Sequence, residues 1–274
     1  MVKADLHLHS SWSDGSANIS LIVGMAKRMG IDAISLTDHD TMSGVDEAIS
    51  AGKKHGVKVV PGLEISAIST ETGRRVHILG YWIKDRARVE KALKPVLDAR
   101  NFSGRRAIGM LQDMGIPISE EDVKAASCGG TLYKQHIMKT LLEMGWVDST
   151  RGSLFEKMFG KNGIAKYTDN YLPAEKAISI VTEAGGLPVL AHPYRYDTVD
   201  LIPKLVESGL GGIEIWHVST VTENIFTLMI AAEKYGLFMT GGSDYHGSNL
   251  RVPQRLYTLK FPEDNPVLAP LFAK

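Results

Sequence analysis

The sequence predicts an α/β barrel: about seven short apolar strands, each followed by an amphipathic helix, interrupted once by a run of consecutive helices. Two observations carry this expectation. Runs with strand character alternate with runs whose apolar residues recur at helical spacing, the rhythm of βαβ units and a parallel sheet. The unusual residues also fall in one kind of place, because each strand hands over to a loop at a cluster of His, Asp or Glu: HLH, TDHD, LEIS, VHI, LAHP, IEIWH and GSDYH. In a closed barrel all those ends meet at one rim, which is where active sites of such barrels sit.

The elements follow in order. VKADLHL reads as a strand, and ISLIVGMAKRMG as a helix with Asn18 or Ser20 near its cap, apolar Ile22, Val23, Met25, Ala26 and Met29, and Gly30 as its stop. DAISLTD is the second strand, and GVDEAISAGKKHG is a helix ending at Gly56, where His55 suits the helix dipole. VKVVPGLEIS and RVHILGYWI are strands closing a first barrel segment, residues 1–84. Residues 85–171 read as a helical insertion, with DRARVEKALKPVLDARNFSGRRAIGMLQDMG and LYKQHIMKTLLEMG its clearest helices. The alternation returns over residues 172–274 with PAEKAISIVTEAGG, LPVLAHP, VDLIPKLVESG, GGIEIWH, ENIFTLMIAAEKYG and LFMTGGSDYHG.

Composition narrows the function. The 274 residues are 44% hydrophobic and 23% charged, enough to bury one large core or two modest ones and to exclude disorder. Lysine plus arginine number 31, as do aspartate plus glutamate, so no global field draws the chain onto a long duplex or an anionic membrane. The one cysteine, Cys128, forms no intrachain disulfide, and no apolar run approaches the roughly 20 residues that span a bilayer. The polar start MVKADLHLHSSWSDGS lacks a signal-peptide core, so the expectation is a cytoplasmic protein.

The His, Asp and Glu residues point to metal chemistry. His7 and His9, two apart on a strand, share a face, and Asp244 and His246 repeat that spacing. Asp38, His39 and Asp40 form another cluster, Asp14 sits on the loop after the first pair, and Glu64, His77 and His192 interrupt apolar runs where an unpaired polar group costs desolvation. Imidazole and carboxylate without thiolate suit a catalytic site for Zn, Mn or Fe. Nine donors, His7, His9, Asp14, His39, Glu64, His77, His192, Asp244 and His246, exceed the needs of one ion, so two or three divalent ions are expected. Such ions polarise a phosphoryl group and lower the pKa of a bound water, the apparatus of a hydrolase.

HLHSSWSDGS, SLTDHDTMSG, GLEIS, VHILGY, LAHPYRY, GIEIW and GSDYHG, in this order, resemble the PHP (polymerase and histidinol phosphatase) phosphoesterases over nearly the whole chain. The resemblance implies a distorted seven-stranded (β/α) barrel of TIM type with a trinuclear site. It places His7, His9, Glu64 and Asp244 on one metal, Glu64, His77 and His192 on a second, and Asp14, His39 and His246 on the third. It implies hydrolysis of a phosphomonoester by a metal-bound hydroxide. The substrate would be a small phosphorylated molecule, an AMP-like nucleotide, a nucleoside 3',5'-bisphosphate or a short oligonucleotide. Asp38 and Asp40 would orient His39 or a metal water, and His217 would be the leaving-group acid or line the pocket. Arg195 would grip phosphate; Lys134 and His136 fall where the family keeps Arg-Pro-His and would contact substrate; Trp12, Tyr194 or Tyr196 would stack on a base. Histidinol phosphatase, a 5'-3' exonuclease on short oligonucleotides, a metal-dependent amidohydrolase and a non-catalytic polymerase-associated module are the alternatives.

Overall fold

The predicted alternation folds as one curved sheet wrapped by helices. The computed structural model describes residues 1–167, 170–249 and 255–273. Its strands are β1 (Val2–Leu8), β2 (Ala33–Leu36), β3 (Lys58–Ile68), β4 (Arg75–Tyr81), β5 (Leu172–Pro173), β6 (Leu187–Leu190), β7 (Gly212–Trp216), β8 (Phe238–Gly241) and β9 (Leu259–Phe261). Its helices are α1 (Ile19–Arg28), α2 (Val45–His55), α3 (Arg86–Asp113), α4 (Glu120–Ala125), α5 (Lys134–Glu143), α6 (Ser153–Phe159), α7 (Ala174–Glu183), α8 (Ile202–Glu207) and α9 (Thr222–Tyr235). The sheet runs β8-β7-β6-β4-β3-β2-β1-β9, with β5 beside β3. That path has eight strands where seven were expected, the addition being β9, antiparallel to the start of β1. A parallel bridge from Leu8 to Tyr245, with the His9 amide donating to the Tyr245 carbonyl at 2.9 Å, joins the end of β1 to the segment after β8 and nearly closes the barrel at that rim.

The expected all-parallel arrangement is corrected at one strand. β4 runs antiparallel to both β3 and β6. The cause is the short turn over residues 69–74, closed by the Ser69 amide on the Arg74 carbonyl, since a parallel return needs a crossover of about a dozen residues or more. The reversal has a functional consequence. It puts the beginning of β4 at the rim where its neighbours end, with His77 opposite Ser66.

Alternation along the strands turns acids and histidines inward. Leu63, Ile65, Val76, Ile78, Ile213 and Ile215 share a buried cluster with Ala177, Ile178 and Val181 of α7. Glu64, His77 and Glu214 lie between these residues and so face the barrel interior. On the opposite side α1 buries Ile19, Ile22, Val23 and Ala26 beneath an Asn18 side chain that accepts from the Leu21 amide. α2 ends where Gly56 takes φ +69°, a conformation that favours glycine. Helices α3 to α6 share a cluster of their own, including Leu111, Ile137, Leu141, Phe155 and Met158. Among the described residues no helix is long and apolar enough to cross a membrane.

Candidate metal centre

Nine donors meet at the rim because their strands end there. His7 and His9 come from β1 and its exit, Asp14 from the following loop, His39 from the loop after β2 and Glu64 from β3. His77 comes from the start of β4, His192 from the loop after β6, and Asp244 and His246 from the segment after β8. Three of the local backbones that present site residues are left-handed, with φ of +58° at Asp40, +28° at His192 and +51° at Asp244. Conformations of that kind persist in non-glycine residues where the surrounding structure enforces them, and they concentrate at functional sites.

Glu64 is the hub. Its Oε1 lies 2.7 Å from His77 Nδ1 and 2.8 Å from His192 Nε2. Its Oε2 lies 3.4 Å from His7 Nε2, 3.2 Å from His9 Nε2 and 3.2 Å from His39 Nδ1. Asp244 Oδ1 lies 3.4 Å from His7 Nε2 and 3.1 Å from His9 Nε2, and Asp14 Oδ1 lies 3.2 Å from His246 Nε2. Eight of the nine donors fall into three overlapping groups whose ligand atoms lie within 4.8 Å of one another: His7, His9, Glu64 and Asp244; His9, Asp14, His39 and His246; His39, Glu64 and His77, so that His39 stands where His192 was expected, and His192 meets Glu64 but belongs to none of the groups. Glu64 belongs to two of them, the position of a bridging carboxylate.

These residues fit divalent cations. Four donors held about 2.0–2.2 Å from one tetrahedral ion stand about 3.3–3.6 Å apart. The His7, His9, Glu64 and Asp244 contacts above, at 3.1–3.4 Å, are close to that spacing. His7 Nε2, His9 Nε2 and Glu64 Oε2 are also buried without a hydrogen-bond partner, a cost that a shared ion removes. Glu214 braces two of the donors: its Oε1 lies 3.0 Å from His7 Nδ1, and its Oε2 accepts the His192 main-chain amide at 2.9 Å.

Electrostatics agree with a cation site. Burial alone would push Glu64, Asp14 and Asp244 upward, but the surrounding imidazoles hold all three well below the usual carboxylate range. The same carboxylates act in reverse on His9, which burial would depress and Asp244 and Glu64 push up to about 10. His7 is likewise held well above its ordinary value, against burial, by Glu214, Glu64 and Asp244. His192 is pushed down to about 4, chiefly by burial. Both upward shifts, at His7 and His9, favour the protonated imidazole, whose proton a cation must displace. Loading is expected to release protons and to tighten as pH rises. Calorimetric titration with Mn²⁺ in two buffers of different ionisation enthalpy measures this, and heats that do not depend on the buffer contradict it.

The rim opens on a cavity of about 340 Å³. Asp14, His39, Glu64, His77, His192, Asp244 and His246 form its floor, and its walls carry Arg75, Arg100, Lys134, Arg151, Lys161, Lys166 and Arg195. Arg195 Nη1 donates to Asp244 Oδ2, and Tyr171 and Tyr196 add aromatic surface. Arg100 donates to Asp40 Oδ2 and to Ser66 Oγ, each at 2.7 Å.

Several expected roles change. Asp38 holds the loop after β1 with its carboxylate, accepting from the Ser10 amide at 2.8 Å and from the Ser10 and Ser13 hydroxyls at 2.7 and 2.6 Å. Asp40 accepts from the Ser66 amide and from Arg100, and Ser66 Oγ in turn lies 3.4 Å from His39 Nδ1. His217 is buried, with Nε2 3.3 Å from Asp244 Oδ2 and Nδ1 2.7 Å from Ser219 Oγ, and it is not among the cavity's lining residues. His136 is buried against Tyr133 and also off the cavity wall, whereas its neighbours Lys134 and Gln135 line it. Of Trp12, Tyr194 and Tyr196, only Tyr196 lines the cavity; Trp12 donates to Glu47 and Tyr194 packs on the core. Lys134 lines the cavity as expected, whereas Glu214, Gln135, Arg100, Arg151, Lys161 and Lys166 were not anticipated. Glu214 had a signal, since a carboxylate inside the apolar run GIEIW resembles Glu64 inside its own strand. Arg151, Lys161 and Lys166 had none, because they lie in the turns and loops around α6, and solvated segments carry such residues everywhere.

Comparison with known proteins adds an independent line. A model of the PHP domain matches residues 5–150. A phosphoribosyl 1,2-cyclic phosphate 1,2-diphosphodiesterase of Eggerthella lenta is 38% identical, over 91% of this chain and 96% of that protein. A 3',5'-nucleoside bisphosphate phosphatase of Chromobacterium violaceum is 29% identical over 90% of this chain and 88% of its own length, and a 5'-3' exoribonuclease of Haemophilus influenzae is 30% identical over 89% and 90%. Among solved structures, a candidate metal-dependent phosphoesterase of Bifidobacterium adolescentis superposes with a TM-score of 0.82 at 26% identity, covering 94% of this chain and 92% of that one. An amidohydrolase of Chromobacterium violaceum, solved with sulfate and no metal, gives 0.79 at 27% identity, over 97% and 93%.

Proposed function

This chain belongs to the PHP domain family, a family of metal-dependent phosphoesterases, and on that premise we propose that it hydrolyses a phosphomonoester of a nucleotide, an AMP-like nucleotide or a nucleoside 3',5'-bisphosphate. The observation that carries this reading is the placing of cations around the cavity. Arg195 stands beside Asp244 at the metal ligands, while Arg151, Lys161 and Lys166 come to the same cavity from the helical segment. A substrate bearing anionic groups at two places satisfies both sets at once.

The chain's own residues divide the work. The donors would hold two or three divalent ions, of Mn, Fe or Zn, in the three groups described, with Glu64 common to two of them and His192 beside it. When bound, such ions supply an activated water and stabilise charge on the leaving oxygen. Arg195 presents a planar fork to the reacting phosphate. Arg151, Lys161 and Lys166 bind the second anionic group, and Tyr171 and Tyr196 offer rings for a base to stack on. Glu214 keeps His7 and His192 in orientation, and Asp38 and Asp40 fix the loops that carry Asp14 and His39. Residues 85–171 act as the lid that brings the second set of cations over the rim.

The relative at 38% identity supports a second reading, hydrolysis of a compact phosphoribosyl cyclic phosphate. One panel separates the two: AMP, adenosine 3',5'-bisphosphate, 5-phosphoribosyl 1,2-cyclic phosphate, histidinol phosphate and a short 5'-phosphorylated RNA, each with Mn²⁺. The expected result is the highest kcat/KM on a nucleotide monoester, with the bisphosphate ahead of AMP. A preference for the cyclic phosphate or for histidinol phosphate overturns the nucleotide reading.

A further inference from the structure

We infer that Gln135 is a positioning residue through which the helical segment controls the occupancy of one metal position, the one built from His9, Asp14, His39 and His246. The inference rests on the metal-centre reading above. Three contacts carry it, all from residues 128–135. The Gln135 side-chain amide, in the first turn of α5, donates from Nε2 to Asp14 Oδ2 at 2.7 Å. The Tyr133 hydroxyl donates to the main-chain carbonyl of His39 at 2.8 Å. The Cys128 amide donates to the Ser11 carbonyl at 2.8 Å, on the loop that delivers Asp14. The two ligands reached directly, Asp14 and His39, belong to the same group of donors.

The division of labour at Asp14 is specific. One oxygen, Oδ2, takes the glutamine; the other, Oδ1, faces His246 and His9 at 3.2 and 3.7 Å. A neutral amide fixes the carboxylate's rotamer without neutralising it, so its charge stays available to a cation. A lysine or arginine there would supply the charge itself and compete. Gln135 also lines the substrate cavity, so a molecule bound there and the ion held by Asp14 share one side chain. Partners of this kind behind or beside metal ligands are worth about tenfold to hundredfold in metal affinity.

The test uses metal-stripped full-length protein titrated with Mn²⁺ against a chromophoric chelator, with elemental analysis of the loaded protein. Gln135→Met keeps the side chain's length and removes the donor; Tyr133→Phe removes only the hydroxyl on the His39 carbonyl. Gln135→Met is expected to weaken one Mn²⁺ equivalent about tenfold or more and leave the others on the wild-type curve; Tyr133→Phe is expected to weaken that equivalent most, with a smaller effect only on the second group that His39 joins. An unchanged curve in both variants, or an equal weakening of every equivalent, overturns the inference and leaves the phosphoesterase reading standing. A wild-type protein that takes up no Mn²⁺ overturns both. If Gln135→Met does not fold, Tyr133→Phe alone decides by the same criteria.

Discussion

Exchanging Glu64 for glutamine is expected to reduce phosphate-ester hydrolysis to background while leaving the fold intact. Glu64 is fully buried and its two oxygens face five imidazoles, at 2.7 and 2.8 Å on one side and 3.2–3.4 Å on the other. Glutamine keeps the shape but replaces one oxygen with an amide that cannot accept a cation, and it removes the charge that makes the centre attractive to divalent ions. The fold has an independent source of stability in the apolar cluster that Leu63 and Ile65 share with α7. Thermal unfolding with and without Mn²⁺ separates these effects. Wild-type protein at about a hundred times its dissociation constant gains about 2.7 kcal/mol from bound metal, and Glu64→Gln is expected to lose most of that gain together with turnover. Activity within tenfold of wild type sinks the assignment of Glu64 as the bridging ligand.

The second large effect is expected at Arg195. Its guanidinium meets Asp244 and lines the cavity beside the metal ligands. The charge-assisted hydrogen bonds that a guanidinium donates to a phosphate are worth about 1.5–3 kcal/mol, so Arg195→Ala is expected to lower kcat/KM about tenfold to a hundredfold. Arg195→Lys is expected to restore only part of this, because an ammonium lacks the planar fork that matches a phosphate. Steady-state kinetics on the preferred nucleotide decides the matter, and an unchanged kcat/KM for Arg195→Ala removes it from the substrate site.

The sequence made the rim legible because strand ends are local features. His7 with His9, Glu64 inside an apolar run and Asp244 with His246 can each be located on a strand end without knowing how the strands pair. The direction of β4 was not legible in the same way, since it depends on the turn over residues 69–74 being too short for a crossover. Side-chain destinations set by neighbours distant in sequence were also hidden. Asp38 and Asp40 flank His39, yet their carboxylates are claimed by Ser10, Ser13, Ser66 and Arg100 from other parts of the chain. At the start of α5 the difficulty is angular: successive residues turn about 100°, so the docking of the helix decides which of them faces the cavity. Lys134 and Gln135 reach it and His136 is buried behind them. The cations of the helical segment come together only because the fold gathers them over one cavity.

The most direct test of the central claim is a single titration: metal-stripped protein is given Mn²⁺ in steps while bound metal and phosphate release from adenosine 3',5'-bisphosphate are followed together. The account predicts no release from the stripped protein, activity that rises as the buried cluster fills, and loss of activity on adding chelator. Undiminished hydrolysis by the metal-free protein contradicts it. A fully loaded protein that releases no phosphate from any ester in the panel contradicts it equally.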